Sequence, residues 1–255
     1  MFDLHMHSLF SDGKDTPEDM ILEAIRKGLN RVGLSDHSHA EGDECCMSTE
    51  ESAEYRETVA ELKEKYRDRI EVLCGLERDY YSDDYNEYDY VIGSVHTLKM
   101  PDGHFVCVDW TAEKLERDVN AYFGGDWYAL AEAFYAMEKD VVRKTKCDII
   151  GHFDLMTKFQ ERQPFFDETH PRYVRAWQDA ADALLETGKV FEVNTGAISR
   201  GYRTSPYPAE PIRKYLLERG AVLILSSDAH AKEKIAFQFD RWKEGTFQGN
   251  LRLKK

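Results

Sequence analysis

The sequence has no long apolar run and few cysteines. None of its apolar stretches approaches the ~20 residues that a membrane-spanning helix requires. No basic segment followed by an apolar one opens the chain, so we expect no signal peptide. The five cysteines contain no C-x-x-C pair, and an odd number of them does not make a disulfide framework. Unpaired thiols favour a reducing compartment, and we therefore expect a cytoplasmic protein.

Positive charge is also scarce in this chain. It carries 34 lysines and arginines against 48 aspartates and glutamates, which gives a formal net charge of −14. A field of this sign repels polyanions, so we expect no nucleic-acid partner, and the missing apolar run weighs against a membrane. A small phosphate compound remains compatible, because bound cations reverse the local potential. The sequence shows no legible interface, which leaves a monomer and a homodimer open.

What is present is a recurring pattern of a short apolar strand, a polar residue at its carboxyl end and, usually, a helix. The predicted strands span residues 2–7, 31–35, 70–76, 88–95, 147–151, 190–193 and 221–225. Helices are predicted at 20–27, 49–69, across most of 111–144, at 172–187 and at 211–218. Strands that alternate with helices indicate a parallel sheet. A chain of 255 residues without repeat or linker suits one α/β barrel domain over residues 1–255.

The first strand ends in two histidines. His5 and His7 are two residues apart, so in a strand both side chains project to the same face. Asp12 follows in a turn marked by Gly13. Imidazole and carboxylate groups that converge at a strand end are the donors that zinc, manganese or iron prefers. Taken alone, the stretch is equally compatible with a strand that ends in two exposed histidines by chance.

The remaining strands repeat this arrangement. Histidines and carboxylates stand at the carboxyl ends of the predicted strands: His5, His7, His37, Glu77, His96, His152, Asp228 and His230. In a closed barrel these ends share one rim, where the active sites of such barrels are built. Eight such side chains are too many for core histidines and too many for a single zinc ion, which takes about four ligands. We infer two or three metal ions.

Short motifs around these positions follow one another along nearly the whole chain. They are His5-Met6-His7, Ser11-Asp12-Gly13, Ser35-Asp36-His37, Gly75-Leu76-Glu77, Gly93-Ser94-Val95-His96, Gly151-His152, Glu192-Val193-Asn194-Thr195 and Ser227-Asp228-Ala229-His230. Together they resemble the PHP (polymerase and histidinol phosphatase) superfamily of metal-dependent phosphoesterases. Within it, the chain is most similar to the PHP-type histidinol-phosphatases, because aspartate at position 12 is associated with that branch, whereas some nucleic-acid-processing relatives place histidine nearby.

The resemblance implies a distorted (β/α)7 TIM-like barrel that holds three divalent metal ions, with zinc, iron and manganese all open. One ion is implied at His5, His7, Glu77 and Asp228. A second is implied between Glu77, His96 and His152, so that Glu77 bridges the first two ions. A third is implied at Asp12, His37 and His230.

The implied activity is hydrolysis of L-histidinol phosphate to L-histidinol and phosphate in histidine biosynthesis. A PHP phosphatase for another small phosphoester, such as a nucleotide or phosphotyrosine, is the first alternative. A nuclease or proofreading module is a weaker one, because the charge is acidic and no further domain is apparent. A metal-binding protein without catalysis is the remaining alternative, against which the complete set of ligands counts.

Individual roles follow from the same resemblance. Either Asp228 or His230 is expected to pass a proton to the leaving alkoxide. A guanidinium clamp is expected for the phosphate, with Arg200 as the first candidate and Arg203 and Lys158 as alternatives.

The walls of the substrate site are predicted from two further segments. One is loop 38–43, with His39, Glu41 and Asp43, and the other is the aromatic insertion that follows His96, although such rings more often serve helix packing. Asp36 is expected to orient a ligating histidine.

Overall fold

The computed structural model describes residues 1–41, 45–247, 249 and 251. Gly42, Asp43 and Glu44 therefore lie outside the described residues, and the prediction that Asp43 borders the substrate site stays a prediction. Within the described part of the chain there are nine strands: β1 (Phe2–Asp3), β2 (Arg31–Leu34), β3 (Glu71–Asp79), β4 (Tyr90–Ser94), β5 (Thr97–Lys99), β6 (Phe105–Cys107), β7 (Ile149–Ile150), β8 (Val190–Asn194) and β9 (Leu223–Ser226).

The same residues form nine α-helices, most of which connect consecutive parallel strands. They are α1 (Pro17–Arg26), α2 (Thr49–Tyr66), α3 (Ala112–Phe123), α4 (Trp127–Glu138), α5 (Val141–Thr145), α6 (Pro171–Leu185), α7 (Gly196–Ser199), α8 (Glu210–Glu218) and α9 (Phe239–Trp242). Their sequences begin with the expected caps. Thr16 caps α1 ahead of Pro17, and Ser48 and Glu51 form a reciprocal capping box at the start of α2.

Seven strands form one parallel sheet in the order β1-β2-β3-β4-β7-β8-β9. The two edges meet beyond the ends of β1 and β9, where Met6 and Ala229 form a parallel bridge. The His7 N–H donates to the Ala229 carbonyl at 2.9 Å at the same place. The sheet is therefore a nearly closed barrel, which confirms the predicted fold class, and all its strand ends share one rim.

The first strand is shorter than predicted. The prediction continues it to residue 7, whereas β1 ends at Asp3. The reason is that side-chain oxygens replace the backbone ladder: the N–H of His5 donates to Asp3 Oδ1 at 3.4 Å and that of Met6 donates to Ser35 Oγ at 3.1 Å. This irregular stretch is the segment that carries the two histidines.

The insertion after β4 contains an element that the sequence pattern missed. Strands β5 and β6 pair as an antiparallel hairpin outside the barrel sheet. The predicted helical stretch then divides into α3, α4 and α5. The first break falls where Gly124 and Gly125 adopt positive φ angles, after which Asp126 caps α4. The hairpin matters because it forms one wall of the cavity described below.

A buried tyrosine fills the barrel beneath the rim. Tyr90 on β4 donates its hydroxyl hydrogen to the Leu4 carbonyl at 2.5 Å. Its ring fits against Gly33 and Gly75, since a Cβ atom at either glycine would lie 2.1 Å from an atom of that side chain. Apolar side chains pack around it, including the fully buried Ile92. No described helix is long and apolar enough to cross a membrane.

Candidate metal centre

All nine residues predicted as metal ligands come together at the rim. His5, His7 and Asp12 lie on the segment after β1, and His37 follows β2. Glu77 lies within β3 and is buried. The other members follow the later strands in the same way: His96 after β4, His152 after β7, and Asp228 and His230 after β9. Contacts among these side chains divide into two halves that share Glu77.

One carboxylate oxygen of Glu77 faces three histidines. Its Oε2 lies 3.2 Å from His5 Nε2, 3.4 Å from His7 Nε2 and 3.1 Å from His37 Nδ1. The second oxygen, Oε1, faces the opposite half of the site and lies 2.9 Å from His152 Nε2. Glu77 is thus positioned between two groups of imidazoles, as a bridging carboxylate would be.

The Oε1 half of the site is completed by His96. Its Nε2 lies 3.4 Å from Glu77 Oε1, the oxygen that also accepts the Ser94 hydroxyl hydrogen at 2.6 Å. The side chains of His96 and His152 are 11% and 4% exposed, respectively. This half is therefore buried except on the side of His96.

Asp228 approaches the two histidines of the first strand. Its Oδ1 lies 3.3 Å from His7 Nε2 and 3.9 Å from His5 Nε2. The backbone of Asp228 has a positive φ of 49°, a conformation that aspartate adopts more readily than most residues. This local turn aims the carboxylate at the centre of the rim.

Asp12 closes the outer side of the cluster. Its Oδ2 lies 3.1 Å from His230 Nε2, and its Oδ1 lies 3.8 Å from both His37 Nε2 and His7 Nδ1. Four residues, one of which is His7 again, therefore offer ligand atoms that all lie within 4.8 Å of one another. Two further groups meet the same limit, one formed by His5, His7 and Asp228 and one by His37, Glu77 and His96.

These donors fit divalent metal ions. Among the described residues, His5 Nε2, both ring nitrogens of His7 and Glu77 Oε2 are buried without a hydrogen-bond partner. Buried polar atoms are normally satisfied, because desolvation without a partner costs about 1–3 kcal/mol. Here the unsatisfied atoms are imidazole nitrogens and a carboxylate oxygen that face one another, which is the donor chemistry of a transition-metal site.

The charge states of His7 and Glu77 agree with this chemistry. Burial and the neighbouring His230 and His37 lower the pKa of His7 to about 3, so its ring is neutral and its nitrogens are available as ligands. Burial raises the pKa of Glu77, but the surrounding histidines, beginning with His5, outweigh that effect and hold it well below its usual range. Glu77 is therefore ionised although it is buried.

Two carboxylates with no expected role, Glu192 and Asp79, lie against ring nitrogens of histidines that are predicted ligands. Glu192 Oε2 lies 2.8 Å from His5 Nδ1, and Asp79 Oδ2 lies 3.2 Å from His96 Nδ1. A partner on the second ring nitrogen fixes which nitrogen is presented to a metal. Glu192 stands inside the apolar run of the predicted strand 190–193. An acid in such a run is the feature of the sequence that could have indicated its role.

Asp36 differs from its expected role. Rather than contacting a ligating ring nitrogen, its carboxylate accepts hydrogen bonds from the Ser8 backbone at 2.7 Å, the Ser8 hydroxyl at 2.9 Å and the Ser11 hydroxyl at 2.7 Å. These bonds hold the loop that carries Asp12. Asp36 therefore positions a carboxylate ligand through the backbone of its loop.

Arg200 directly contacts two of the proposed ligands, Asp228 and His230. Its Nη2 donates to Asp228 Oδ2 at 2.9 Å, and its Nη1 donates to the Asp228 carbonyl at 2.9 Å and lies 2.9 Å from His230 Nδ1. Gly196 makes this approach possible, since a Cβ there would lie 2.6 Å from Asp228 Oδ2 and 2.9 Å from Arg200 Nη2. The Arg200 side chain is 27% exposed, so it is open to a bound anion as well.

A cavity of about 580 Å³ opens beside the cluster. Its residues are Asp12, His37, Cys45, His96, Thr97, Phe105, Cys107, Asp109, Trp110, Lys114 and Lys158. Lys158, a predicted phosphate contact, is among them, and its Nζ donates to the Asp109 carbonyl at 2.6 Å. Of the predicted aromatic wall, Trp110 borders the cavity, whereas Phe134 and Tyr135 are buried in the core.

The other three predicted substrate contacts, Arg200, Arg203 and His39, do not line this cavity. Arg200 lies against Asp228 and His230, whereas Arg203 and His39 have partners elsewhere. The Arg203 side chain is 4% exposed; its Nη1 donates to Thr157 Oγ1 at 2.6 Å, and its guanidinium lies 4.5 Å from the centre of the Tyr207 ring. His39 is 43% exposed, and its Nδ1 lies 2.9 Å from Asp83 Oδ1. Arg203 is thus engaged in the interior, and His39 lies at the surface with an acidic partner.

Comparisons with known proteins agree with this geometry. The model of the PHP domain family matches residues 3–196. A curated relative from Deinococcus radiodurans, named "Probable histidinol-phosphatase", is 29% identical over 93% of this chain and 89% of its own length. The crystal structure of the HisK protein of Listeria monocytogenes is 21% identical, covers 95% of this chain and 100% of its own, and superposes with a TM-score of 0.81.

A second solved structure is that of histidinol phosphate phosphatase from Lactococcus lactis subsp. lactis, complexed with zinc, L-histidinol and phosphate. It is 19% identical, covers 96% of this chain and 91% of its own, and has a TM-score of 0.66. Both crystal structures share the fold of this chain.

Proposed function

The chain belongs to the PHP domain family, and we propose that it is a metal-dependent phosphomonoesterase that hydrolyses L-histidinol phosphate in histidine biosynthesis. The observation that carries this proposal is the convergence of nine histidine, aspartate and glutamate side chains beside an open cavity of about 580 Å³. The name of the Deinococcus relative and the L-histidinol and phosphate bound to the Lactococcus enzyme support the choice of substrate.

We propose that the cluster holds three divalent ions, with zinc, iron and manganese as the candidate metals. Zinc is supported by the complex of the Lactococcus enzyme. The first ion is assigned to His5, His7, Glu77 and Asp228. The second is assigned to Glu77, His96 and His152. The third is assigned to Asp12, His37 and His230.

Divalent ions supply a water activated for attack on phosphorus and neutralise charge on the phosphoryl oxygens. The chain's own residues position the ester around that chemistry. Arg200, open to the site, is assigned to a phosphoryl oxygen, and Lys158 at the cavity wall is the alternative. Protonation of the leaving alkoxide is assigned to Asp228 or His230, which lie side by side with 3.4 Å between Oδ1 and Nδ1.

The cavity lining suits the remainder of this substrate. Phe105 and Trp110 present aromatic rings to it, and Asp109 presents a carboxylate. L-Histidinol phosphate carries an imidazole and an ammonium group, which match these two kinds of contact. The net charge of −14 weighs against a nucleic acid as the ester.

The test is phosphate release from L-histidinol phosphate, compared with nucleoside monophosphates and phosphotyrosine, after loading with manganese or zinc. We expect a preference of ~10³ or more in kcat/KM for L-histidinol phosphate. Equal rates on all the esters would support phosphatase activity but would contradict the choice of L-histidinol phosphate as the substrate. Faster hydrolysis of a nucleotide or phosphotyrosine would establish the alternative phosphatase.

Single-residue variants separate the enzyme from a metal-binding protein without catalysis. Asp228→Ala and His37→Ala each remove a proposed ligand, and we expect phosphate release to fall by at least 10²-fold in both. Unchanged turnover in either variant would contradict the assignment of the three ions. Circular dichroism of each variant verifies that the fold persists.

We also propose a cellular location and an oligomeric state for the enzyme. Cys74, Cys107 and Cys147 form no disulfide, which supports a reducing compartment and a cytoplasmic location. We propose that residues 1–255 form one domain that works as a monomer or a homodimer. Size-exclusion chromatography with light scattering distinguishes these two states.

A further inference from the structure

Asp109 is a carboxylate at the wall of the active-site cavity that belongs to none of the metal groups. It follows the β5–β6 hairpin, and its side chain is 26% exposed. Among the described residues that border the cavity, Asp12 is the only other acid, and it is assigned to a metal ion. Asp109 is therefore the acidic group that this cavity offers to a substrate.

The hydrogen bonds of the Asp109 carboxylate leave it with acceptor capacity. Its Oδ1 is 3.3 Å from Cys107 Sγ, and a thiol is a weak donor. Its Oδ2 lies 3.4 Å from Lys158 Nζ, but the shorter bond of that ammonium, at 2.6 Å, goes to the backbone carbonyl of Asp109. An ionised carboxylate has about four lone-pair sites, so within the described chain Asp109 retains sites for another cation.

Asp109 lies next to a proposed metal ligand, because the N–H of the preceding Val108 donates to the His96 carbonyl at 3.0 Å and both Asp109 and His96 line the cavity. Burial raises the pKa of its carboxyl, but Lys158 and His96, and more weakly His152, lower it well below the usual range. Lys114, the other basic residue in the cavity wall, is paired with Asp118 at 2.9 Å. A fixed negative charge thus lies close to the proposed ligand His96.

We propose that the Asp109 carboxylate binds the ammonium group of the substrate and makes the site selective for phosphate esters of amino alcohols. The inference rests on the proposed phosphatase function and adds the determinant of its substrate class. In L-histidinol phosphate two carbon atoms separate the ammonium nitrogen from the ester oxygen. A phosphoryl group at the metal cluster therefore leaves the ammonium close by, where a carboxylate at the adjacent wall contacts it.

The experiment compares two esters that differ only in the amine. L-Histidinol phosphate and 3-(imidazol-4-yl)propyl phosphate are assayed with the metal-loaded wild type, Asp109→Asn, Asp109→Glu and Asp68→Asn. We expect the wild type to prefer the amine-bearing ester by ~10- to 100-fold in kcat/KM, the range of a charge-assisted hydrogen bond. In Asp109→Asn this preference falls towards one, and Asp109→Glu restores part of it.

The control variant alters a carboxylate away from the site. Asp68 is 92% exposed, and Asp68→Asn is expected to keep the wild-type preference. An equal loss on both esters in Asp109→Asn would overturn the inference, because it would show that Asp109 acts through Lys158 or the metal ligands. A wild type that hydrolyses both esters equally would overturn it while leaving the phosphatase intact. A wild type without activity on L-histidinol phosphate would remove the proposed function and the inference together.

Discussion

His5 Nδ1 lies 2.8 Å from Glu192 Oε2 in the closed interior of the site, and both side chains are fully buried. The other ring nitrogen, Nε2, consequently points at the metal cluster. Burial lowers the pKa of His5, but Glu192 and the other nearby carboxylates outweigh that effect and raise it well above its usual value. Glu192 thus sets both the direction and the basicity of a proposed ligand.

Replacing Glu192 by glutamine tests this relationship. Glu192→Gln keeps the volume but removes the charge that holds His5, and we expect metal affinity to fall ~10- to 100-fold. Competition with a chelator, followed by measurement of bound metal, gives the affinity. Glu64→Gln, at a 70% exposed side chain, is the matched control and should bind metal as the wild type does. Unaltered affinity in Glu192→Gln would mean that the orientation of His5 does not depend on this carboxylate.

Gly196→Ala is predicted to damage the site without unfolding the protein. The new Cβ would collide with the Asp228 carboxylate at 2.6 Å and with Arg200 at 2.9 Å, so at least one of these groups must move. We expect kcat/KM to fall by ~10²-fold, because displacement of about 1 Å at reacting groups costs this much. Steady-state kinetics on the preferred ester and a thermal melt check the prediction.

Gly188→Ala is predicted to lower stability without changing activity, which is the opposite of the effect expected for Gly196→Ala. Gly188 has a φ of +65° with no heavy atom within 4 Å of the added Cβ, so the variant pays only for backbone strain. We expect a loss of about 1–2 kcal/mol in unfolding free energy with unchanged kcat/KM. If Gly196→Ala shows this same pattern, the contact with Asp228 is not important for the reaction.

Arg200→Met is predicted to weaken phosphate binding. The substitution removes a permanent charge that touches both Asp228 and His230 and is 27% exposed. We expect the inhibition constant of inorganic phosphate to rise at least tenfold. Measurement of bound metal in the same preparation is needed, since a variant that also loses metal would show that Arg200 acts by holding Asp228. Wild-type phosphate inhibition would exclude Arg200 as the clamp.

Glu138 on α4 gives a prediction about pH and stability that does not involve the reaction. Both its carboxylate oxygens are buried without a hydrogen-bond partner among the described residues. Burial raises its pKa well above the usual value, so the folded state keeps the proton while the unfolded state releases it above pH ~4.5. Its contribution to stability is therefore present at acidic pH and is lost as the pH rises towards the folded pKa.

Glu138→Gln removes this dependence. We expect the variant to be more stable than the wild type by roughly 1–3 kcal/mol at pH 7.5 and to match it near pH 4.5. Urea unfolding at both values measures the difference. Equal stability of the two proteins at pH 7.5 would show that Glu138 is not held neutral in the fold.

Local sequence was sufficient to predict which residues meet at the rim. His5 and His7 lie on one short segment, and each later ligand follows a strand that its own apolar run identifies or, as Glu77 does, lies near the end of one. Parallel strands then bring these ends together regardless of loop detail, so the barrel and the ligand cluster could both be predicted. The role of each ligand at a given ion stays a prediction.

Some side-chain positions depend on tertiary structure and could not be predicted from local sequence. Arg200 and Arg203 lie three residues apart on one loop, yet one reaches Asp228 and the other is buried against Tyr207. Nothing in their spacing separates them, because the turn after α7 sets their directions. Asp109 was missed for a related reason, since its position depends on the β5–β6 hairpin, which the sequence pattern did not reveal.

The tyrosine beneath the rim bears on the order in which the two products leave the site. Tyr90, seated against Gly33 and Gly75 over a packed apolar layer, seals the barrel from below. Under the proposed reaction, we then expect the ester and both products to pass through the mouth at the rim. With the phosphate at the proposed ligands, deeper than the alcohol, the alcohol is expected to leave first and phosphate to follow. Such ordered release would make phosphate the competitive product inhibitor.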